Sequence, residues 1–449
     1  MVLPENVVQV LSRLENAGWE SYAVGGCVRD ALLGIEPHDW DLCTAAPPEE
    51  MKKVFASERM LDTGIKHGTL TLLTPSGPLE ITTFRTESTY SDRRHPDSVS
   101  FVSDVRADLA RRDFTVNAMA YSPRHGLRDD FHGREDLKNG ILRCVGDPGE
   151  RFREDALRIL RALRFAARFD LTIEKKTAAA LRKDRELLHS VSPERIFSEL
   201  KGILSAPYAG KMLLAFPEVF FVFLPELAPT LGFDTRRPQN HCWDVWGHTA
   251  HAVDAIEPES CLRLAMLFHD SGKPRTFRFD ARAGHGKFPR HPKLGAEIAD
   301  AALRRLRCDN ATRKTVTMLV ENHEMRTGHE KNDLRRLLSE LGEENMRRLL
   351  LVRRADAAAH APKAAARLAA LADGDERRLN EILAEGGCLH VRDLAVNGDD
   401  LASLGVPAGP AVGKMLSCML DRVMDGALPN EKEALLRAAR KEMEQWKKP

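Results

Sequence analysis

Two aspartates, Asp39 and Asp41, form the arrangement in this chain with the clearest chemical meaning. On one strand, side chains two residues apart point to the same face. Mg²⁺ prefers one or two such carboxylates together with substrate phosphates. Glu80, in a predicted strand, is the candidate for the third acid that a two-metal site uses. An exposed glutamate with no catalytic role remains the alternative for Glu80.

A glycine pair, Gly25 and Gly26, precedes the aspartates and separates a predicted strand at 22–24 from a predicted helix start at 28. Such a turn lets backbone N–H groups approach a phosphate, and a helix N-terminus adds positive field. Arg29 adds a guanidinium donor. A phosphate-binding turn followed by a metal dyad predicts nucleotidyl transfer. The alternative is a glycine-rich turn followed by a solvated acidic loop.

A second polar motif, RRDFTVNAM, occupies residues 111–119. Paired arginines, Arg111 and Arg112, can bind a triphosphate, bidentately where the geometry allows. Asp113 and Asn117 have the i and i+4 spacing that predicts a shared helix face, from which they could contact a ribose. The alternative is a helix cap with surface salt bridges.

An arginine-rich helix is predicted after Asp155. At 100° per residue, its arginines fall within about a third of the helix circumference; they are Arg158, Arg161, Arg164 and Arg168. Asp155 can accept from an exocyclic amino group, and Arg158 can donate to a ring nitrogen. Cytosine and adenine offer that pattern, whereas uracil and guanine carry the reverse. One Asp–Arg pair can therefore select C and A. A solvated helix with i,i+3 ion pairs is the alternative.

These motifs, in this order, resemble the class II tRNA nucleotidyltransferases, the bacterial CCA-adding enzymes. The resemblance covers roughly residues 15–200 and rests on GGCVRD at 25–30, DWD at 39–41, RRDFTVNAM at 111–119 and EDALRILRALR at 154–164. Lesser similarities are KHGT at 66–69, which resembles the CCA-adding branch, GREDL at 133–137, which resembles a hinge motif, and SPERI at 192–196, which resembles a neck motif.

The resemblance implies addition of CCA to the 3′ end of tRNA, using CTP, ATP and Mg²⁺. It assigns Asp39 and Asp41 to the metal. It assigns the incoming nucleotide to Gly26, Arg29 and Arg112. It assigns base reading and phosphate contact to Asp155, Arg158, Arg161 and Arg164.

A second constellation lies further along the chain and is spaced like a metal-binding HD domain. Its members are His248, His269, Asp270, His291, His323 and Asp356. The His-Asp pair follows an apolar helix at 262–268, and Gly272 and Pro274 can end that helix there. This resemblance implies a second divalent transition metal and a phosphohydrolase activity. A retained but inactive HD module remains open.

Two rival functions stay open. One is a poly(A) polymerase or an A-adding tRNA nucleotidyltransferase, which shares the head motifs. The polar segment 86–98, predicted to be a mobile loop, and the KHGT segment favour CCA addition and weigh against a CC-only enzyme. The other rival is an HD phosphohydrolase whose head only binds nucleotides. Asp39 and Asp41 argue against it, because binding alone does not require two metal carboxylates.

The composition is that of a globular protein: 449 residues, 30% charged and 43% hydrophobic, with a net charge of +1. Residues 1–10 carry no signal-peptide pattern, and the most apolar run, 219–224, is too short to span a membrane. Eight cysteines without a Cys-x-x-Cys pair predict reduced thiols and a cytoplasmic location. The oligomeric state stays open.

Helix and strand patterns predict how these motifs are carried. Strand signals are confined to the N-terminal part, and helical periodicity dominates from Glu150 onward. We therefore expect an α/β nucleotidyltransferase head with a small mixed sheet, followed by an extended all-α neck, body and HD region. The predicted domains are a head at 1–140, a neck and RNA-binding region at 141–235, an HD domain at 236–360 and a helical C-terminal region at 361–449. A basic helix at 436–448 is expected to meet the tRNA backbone.

Overall fold

A computed structural model describes residues 1–87, 98–235, 242–282, 284–324 and 331–446. The chain forms two compact units, Met1–Ala228 with Arg305–Arg307, and Pro229–Arg304 with Cys308–Pro449. None of the helices within these ranges is long and apolar enough to cross a membrane.

The first unit is a sheet followed by helices. Its strands are β1 (Ser21–Val24), β2 (Asp41–Thr44), β3 (Met60–Gly64), β4 (Thr69–Thr74), β5 (Gly77–Thr83), β6 (Arg85–Glu87), β7 (Val99–Phe101), β8 (Ala120–Ser122), β9 (Gly126–Arg128), β10 (Ile141–Leu142) and β11 (Thr172–Ile173). Its helices are α1 (Glu5–Asn16), α2 (Gly26–Leu32), α3 (Pro48–Val54), α4 (Val105–Ala110), α5 (Gly133–Lys138), α6 (Pro148–Glu154), α7 (Leu157–Phe169), α8 (Lys175–Asp184), α9 (Pro193–Leu204), α10 (Ala209–Ala215) and α11 (Pro217–Phe223).

Seven strands form the main sheet in the order β3-β4-β5-β2-β1-β8-β9. All neighbours are antiparallel except β2 and β5, which are parallel. Alternate residues of β1 enter different cores: Ala23 packs with α1 and α3, whereas Tyr22 and Val24 pack with Phe84 and Leu109. Both faces of the sheet are therefore covered, which holds the ends of β1, β2 and β5 in fixed positions.

The second unit is mostly helical. Its helices are α12 (Val245–Asp254), α13 (Ser260–Phe268), α14 (Lys273–Thr276), α15 (His291–Arg305), α16 (Asn310–Asn322), α17 (Lys331–Ala358), α18 (Pro362–Glu385), α19 (Gly398–Ser403), α20 (Pro410–Met424) and α21 (Lys432–Trp446). Two strands, β12 (Arg278–Asp280) and β13 (His285–Lys287), form an antiparallel hairpin. Helix α17 is interrupted at Gly342, which has a φ of 78°.

The predicted fold class is confirmed, with two local differences. The α/β head with a mixed sheet and the helical remainder are both present. The strand pairs β10–β11 and β12–β13 were not predicted from the sequence. These strands are only two or three residues long, too short to produce a period-2 pattern.

Candidate active site and metal cluster

The turn between β1 and α2 requires glycine at Gly25. Its φ of 84° is in the left-handed region, and its N–H donates to the Met119 carbonyl oxygen at 3.0 Å. A Cβ at this position would lie 2.6 Å from Nη1 of Arg112. Glycine therefore lets the Arg112 guanidinium come directly against the turn, where the sequence predicted phosphate binding.

The parallel pairing of β2 with β5 brings two predicted acids side by side, because Asp41 is the register partner of Glu80. The prediction that Asp39 lies on the same strand is wrong. Strand β2 begins at Asp41, and the Asp39 side chain, 84% exposed, lies 3.0 Å from Nδ1 of His38. Among the described residues, these three carboxylates do not form a group with all ligand oxygens within 4.8 Å.

The charges around Asp41 fit a divalent cation. Burial raises the pKa of the Asp41 carboxyl, as do the nearby carboxylates of Glu80 and Asp39, while the positive charge of Arg112 opposes them. A cation bound here would relieve this repulsion, and the available donors are hard carboxylate oxygens.

A polar cavity of about 300 Å³ lies beside α7. Its lining residues are Arg111, Arg112, Asp113, Asp155, Leu157, Arg158, Arg161 and Arg195. The structure thus brings the second and third sequence motifs to one place. The side chain of Arg158 is oriented by Oε2 of Glu154 at 2.5 Å and by the backbone carbonyls of Arg151 and Arg111 at 3.3 Å.

Asp155 lies at the break between α6 and α7 and is held from two sides. Its Oδ1 accepts from the Leu157 N–H at 3.1 Å, and its Oδ2 accepts from Nη2 of Arg195 at 3.0 Å. Sequence reasoning did not assign Arg195 to the site. It lies in the quoted SPERI segment, but only the packing of α9 against α7 shows that it reaches Asp155.

Asp113 contacts its predicted neighbour Asn117, but not on a helix, and it also contacts Arg161, which the sequence did not predict. The prediction of a shared helix face with Asn117 is wrong, because Thr115–Asn117 forms a 3-10 turn. Nδ2 of Asn117 donates to Oδ1 of Asp113 at 3.1 Å, and Arg161 donates to Oδ2 through Nε at 2.9 Å and Nη2 at 2.7 Å. Burial would raise the pKa of Asp113, but the charge of Arg161 lowers it overall. Asp113 therefore fixes the Arg161 guanidinium at the cavity wall.

Two of the arginines predicted to contact the nucleotide, Arg29 and Arg164, do not line this cavity, and neither do Gly25, Gly26 and Asn117. Arg29 is buried, donates to Asp30 and Asn117, and has its guanidinium carbon 4.5 Å from the centre of the Phe169 ring. Arg164 donates through Nε to Glu199 at 2.7 Å, which ties α7 to α9. Both arginines have protein partners that hold them in place.

The six predicted HD residues come together in the second unit. They form two groups in which all ligand atoms lie within 4.8 Å of one another: His248, His269 and Asp356, and Asp270, His291 and His323. Asp270 faces both groups. Its Oδ2 lies 3.4 Å from Nε2 of His269, and its Oδ1 lies 3.4 Å from Nε2 of His291.

All four histidines present the same nitrogen to the cluster. Each Nδ1 lies within 3.2 Å of a backbone carbonyl oxygen; the acceptors are Ala359 for His248, Met266 for His269, Phe288 for His291 and Val320 for His323. In a neutral ring this contact places the proton on Nδ1 and leaves the lone pair on Nε2. The backbone carbonyls thus orient all four rings with Nε2 toward the cluster.

The cluster contains buried polar atoms that hydrogen bonding leaves unsatisfied. They are Nε2 of His269, Nε2 of His291 and Oδ1 of Asp270, none of which has a hydrogen-bond partner among the described residues. Burial would lower the pKa of His269, but Asp270 and Asp356 raise it to about 10, so a metal ion that bound Nε2 would displace a proton from it. Buried imidazoles facing buried carboxylates form a donor set that fits a divalent transition metal.

Family models and relatives agree on one family. Residues 21–143 match the poly A polymerase head domain, residues 170–231 the RNA and SrmB-binding site of polymerase A, and residues 292–439 the tRNA nucleotidyltransferase domain 2. The CCA-adding enzyme of Limosilactobacillus fermentum is 34% identical over 437 residues, which cover 96% of this chain and 95% of the relative. This chain belongs to the CCA-adding enzyme family.

Further comparisons support this assignment along the whole chain. The CCA-adding enzyme of Streptococcus mutans is 34% identical, with 98% of each chain covered. The structure of the Bacillus stearothermophilus CCA-adding enzyme in complex with CTP matches with a TM-score of 0.72 and 28% identity, covering 99% of each chain. The protein is therefore a tRNA nucleotidyltransferase, and membership in this family implies dependence on a divalent metal.

The lesser motifs of the CCA-adding resemblance lie around the head. In GREDL, Asp136 accepts from Oγ1 of Thr115 at 2.7 Å, and Gly133 approaches the Thr115 carbonyl so closely that a Cβ would lie 2.1 Å from its oxygen. In KHGT, Gly68 packs against Phe101 of β7. The central part of the 86–98 segment, residues 88–97, lies outside the described residues, and so do the last residues of the basic segment 436–448.

Proposed function

We propose that this protein builds or repairs the complete CCA end of tRNA, adding C from CTP and then A from ATP with Mg²⁺, in the cytoplasm. The observation that carries the proposal is the single cavity where Asp155 and Arg158 lie beside the paired arginines Arg111 and Arg112. Groups suited to reading a base edge and groups suited to binding phosphates thus occur together. The names of the relatives support the same activity.

Asp39 and Asp41 would hold the Mg²⁺, with Glu80 beside Asp41. The bound metal would activate the RNA 3′-hydroxyl and neutralise the charge that develops on the pyrophosphate. Gly25 and Gly26 let the triphosphate approach the backbone, and Arg112, against Gly25, donates to it. Arg111 adds a second cation at the cavity wall.

Base choice follows from the donors and acceptors in the cavity. Asp155 accepts from the amino group of cytosine or adenine, and Arg158 donates to the ring nitrogen beside it. Arg195 and Glu154 orient these two groups before the nucleotide binds. We assign Asp113 the positioning of Arg161 instead of a ribose contact, because its side chain is only 9% exposed and accepts two hydrogen bonds from Arg161. The Asp155 side chain is 18% exposed and remains accessible from the cavity.

One experiment separates CCA addition from its rivals. The protein is incubated with tRNA transcripts that end before, within and after CCA, with each nucleoside triphosphate supplied singly and in pairs. Our proposal requires C added to the shortest transcript and A added only after two C. A poly(A) polymerase or A-adding enzyme would use ATP alone, and a nucleotide-binding head attached to a phosphohydrolase would incorporate nothing.

The HD cluster supports a second proposed activity, metal-dependent hydrolysis of a phosphoester. His248, His269 and Asp356 would hold one divalent ion, His291 and His323 a second, and the two oxygens of Asp270 would each face one ion. Two such ions would polarise a phosphoester and supply a hydroxide for its hydrolysis. Lys273, with Nζ 2.6 Å from Oδ2 of Asp270, helps to keep that carboxylate ionised.

Metal content and hydrolysis test this second activity together. We expect two equivalents of a transition metal per chain after loading with Ni²⁺, Mn²⁺ or Zn²⁺. We also expect release of phosphate from 2′,3′-cyclic nucleotides and phosphomonoesters across a panel of these ions. Metal without hydrolysis would leave a structural centre, and no bound metal would overturn the assignment of the ligands.

The tRNA itself is expected to bind electrostatically. Arg and Lys side chains of the neck and of the basic helix at 436–448 would contact backbone phosphates, since an RNA duplex is recognised mainly by shape and phosphate contacts. Binding of tRNA should therefore weaken steeply with salt. A binding constant that does not change between low and high salt would contradict this part of the proposal.

A further inference from the structure

A buried carboxylate contacts both members of the arginine pair that lines the cavity. Asp108, on α4, is only 1% exposed, whereas Arg111 and Arg112 line the cavity. Oδ1 of Asp108 accepts from Nε of Arg111 at 3.0 Å and lies 2.9 Å from Nη2 of the same residue. Its Oδ2 lies 3.5 Å from Nη2 of Arg112. One carboxylate therefore pairs with both arginines that we assign to the triphosphate.

Asp108 is itself held in a fixed position. The helix that carries it is anchored through Val105 and Leu109, which are buried in one hydrophobic cluster with Tyr22 and Phe84. The backbone N–H of Arg85, at the start of β6, donates to Oδ1 of Asp108 at 3.3 Å. A free arginine has many rotamers, and ordering it costs entropy. Pairing with an anchored carboxylate restricts these rotamers before a ligand binds.

Arg112 connects this carboxylate to the rest of the site. Its Nη1 lies so close to Gly25 that a Cβ there would be 2.6 Å away. Its positive charge lowers the pKa of the Asp41 carboxyl, against the effect of burial. The position of the Arg112 guanidinium therefore matters to the glycine turn, to the proposed metal ligand and to the cavity together.

Arg112 also keeps hydrogen-bonding capacity for a ligand. Its Nε is buried and has no hydrogen-bond partner among the described residues, and the same is true of Oδ2 of Asp108. The contact between the two residues is thus an ion pair at 3.5 Å, which leaves donors of the guanidinium unused. Such donors suit phosphate oxygens.

We propose that Asp108 is a positioning residue for nucleotide addition: it holds Arg111 and Arg112 in the arrangement that binds the triphosphate. The inference rests on the proposed phosphate contact of these two arginines. Asp108 does not touch the nucleotide, because it is buried and does not line the cavity. The triphosphate is common to all four substrates, so Asp108 supports binding of each of them equally and leaves base choice to Asp155 and Arg158.

The sign of the effect distinguishes positioning from simple electrostatics. Removing a negative charge beside two cations makes the site more positive, which by itself strengthens phosphate binding. Loss of positioning weakens it. Asp108→Asn keeps the size of the side chain and removes the charge, so the two effects predict opposite changes in affinity.

Binding of a phosphate chain without a base is the test. Inorganic tripolyphosphate is titrated calorimetrically into the full-length protein at a fixed Mg²⁺ concentration. We expect Asp108→Asn to weaken binding at least 10-fold and to raise KM for CTP and ATP by similar factors. The ratio of kcat/KM for CTP to kcat/KM for UTP should stay within 2-fold of the parent.

A matched control lies on the same helix. Asp104 is exposed, and its side chain accepts from the Arg106 N–H at 2.9 Å at the start of α4. Asparagine caps a helix as well as aspartate, so Asp104→Asn removes a charge without removing the cap. This variant should bind tripolyphosphate like the parent.

A second variant covers loss of folding. Asp108→Asn leaves two partly buried cations without their carboxylate, which is destabilising. If the melting temperature shows that it does not fold, the same change is made together with Arg111→Gln, which leaves one such cation fewer. We expect this double variant to bind tripolyphosphate at least 3-fold more weakly than Arg111→Gln alone, because Arg112 still loses its partner.

The outcomes separate this inference from the proposed function. Unchanged or tighter binding in a folded Asp108→Asn would overturn the positioning role, as would a CTP-to-UTP ratio that falls together with the affinity. If Arg112→Gln loses tripolyphosphate binding under those results, the phosphate contact stands and only the role of Asp108 fails. Binding by Arg112→Gln that equals the parent would reject the phosphate contact and the positioning role together.

Discussion

Replacing Asp155 by asparagine should reduce the preference for C and A over U and G. Each oxygen of Asp155 already faces a donor, the Leu157 N–H at 3.1 Å and Arg195 at 3.0 Å. Asparagine keeps one acceptor and replaces the other with an N–H₂ group. The base amino group thereby loses a charged acceptor, while the carbonyl group of uracil or guanine gains a donor.

The size of the effect follows from one lost base contact. A specific contact to a base edge is worth about 1–3 kcal/mol of discrimination, which corresponds to about 5- to 140-fold in the ratio of rates. The assay is kcat/KM for each of the four nucleoside triphosphates on a tRNA transcript that lacks CCA. In Asp155→Asn, we expect the ratio of kcat/KM for CTP to kcat/KM for UTP to decrease by a factor within that range.

Two further variants separate base reading from support of the cavity. Glu194→Gln removes a carboxylate from the exposed residue next to Arg195 and should leave both rates and selectivity unchanged. Arg195→Met keeps the Asp155 carboxylate but removes its partner, so we expect slower addition of every base with selectivity largely retained. Equal losses for all four triphosphates in Asp155→Asn would refute the base-edge argument.

Four other outcomes follow from the same contacts. Asp41→Asn should abolish nucleotide incorporation, because it removes a proposed metal ligand. The melting temperature should not fall, because burial and the neighbouring carboxylates already raise the pKa of Asp41 and so disfavour its charge; a large drop in melting temperature would contradict this. Arg29→Met should lower the free energy of unfolding in urea by about 3 kcal/mol, since it leaves buried polar partners unpaired; a loss of incorporation at unchanged stability would instead favour a nucleotide contact. Shortening the 86–98 segment should spare C addition and impair A addition on transcripts ending before CCA and after CC; equal loss of both steps would show a role in folding. His269→Ala with Asp270→Ala should remove bound transition metal and phosphoester hydrolysis while CTP incorporation in Mg²⁺ continues; joint loss of both activities would show that the two sites depend on each other.

The sequence predicted the structure best where the backbone conformation depends on residues that are neighbours along the chain. The turn at Gly25 and Gly26 between β1 and α2 forms as predicted, because a φ of 84° at Gly25 favours glycine and Arg112 comes so close that it leaves little room for a Cβ. The hairpin of β4 and β5, in which Thr74 is opposite Gly77 across Pro75 and Ser76, is a second local feature of this kind. Both features follow from backbone conformations that local residue types determine.

The prediction of shared faces was weaker. The i,i+4 spacing of Asp113 and Asn117 brought the two side chains into contact, but through a 3-10 turn instead of a helix. Similarly, the spacing of Asp39 and Asp41 predicted one strand face, whereas β2 begins at Asp41. A short polar segment is compatible with several local conformations, and its packing against the sheet selects one of them.

What the sequence by itself determined was the family and a set of candidate site residues. The turn, the acids, the arginines and the six residues of the predicted HD cluster are all recognisable from residue type and order. Only the tertiary structure decided which of them meet. Arg161 contacts Asp113, which is 48 residues away in the sequence, and Arg195 contacts Asp155, 40 residues away. The buried Arg29 contacts Asn117, 88 residues away. An arginine side chain is long and can pair with any nearby carboxylate, so the packing of helices and strands decides its partner. Sequence spacing predicts side-chain pairs only within about one helical turn.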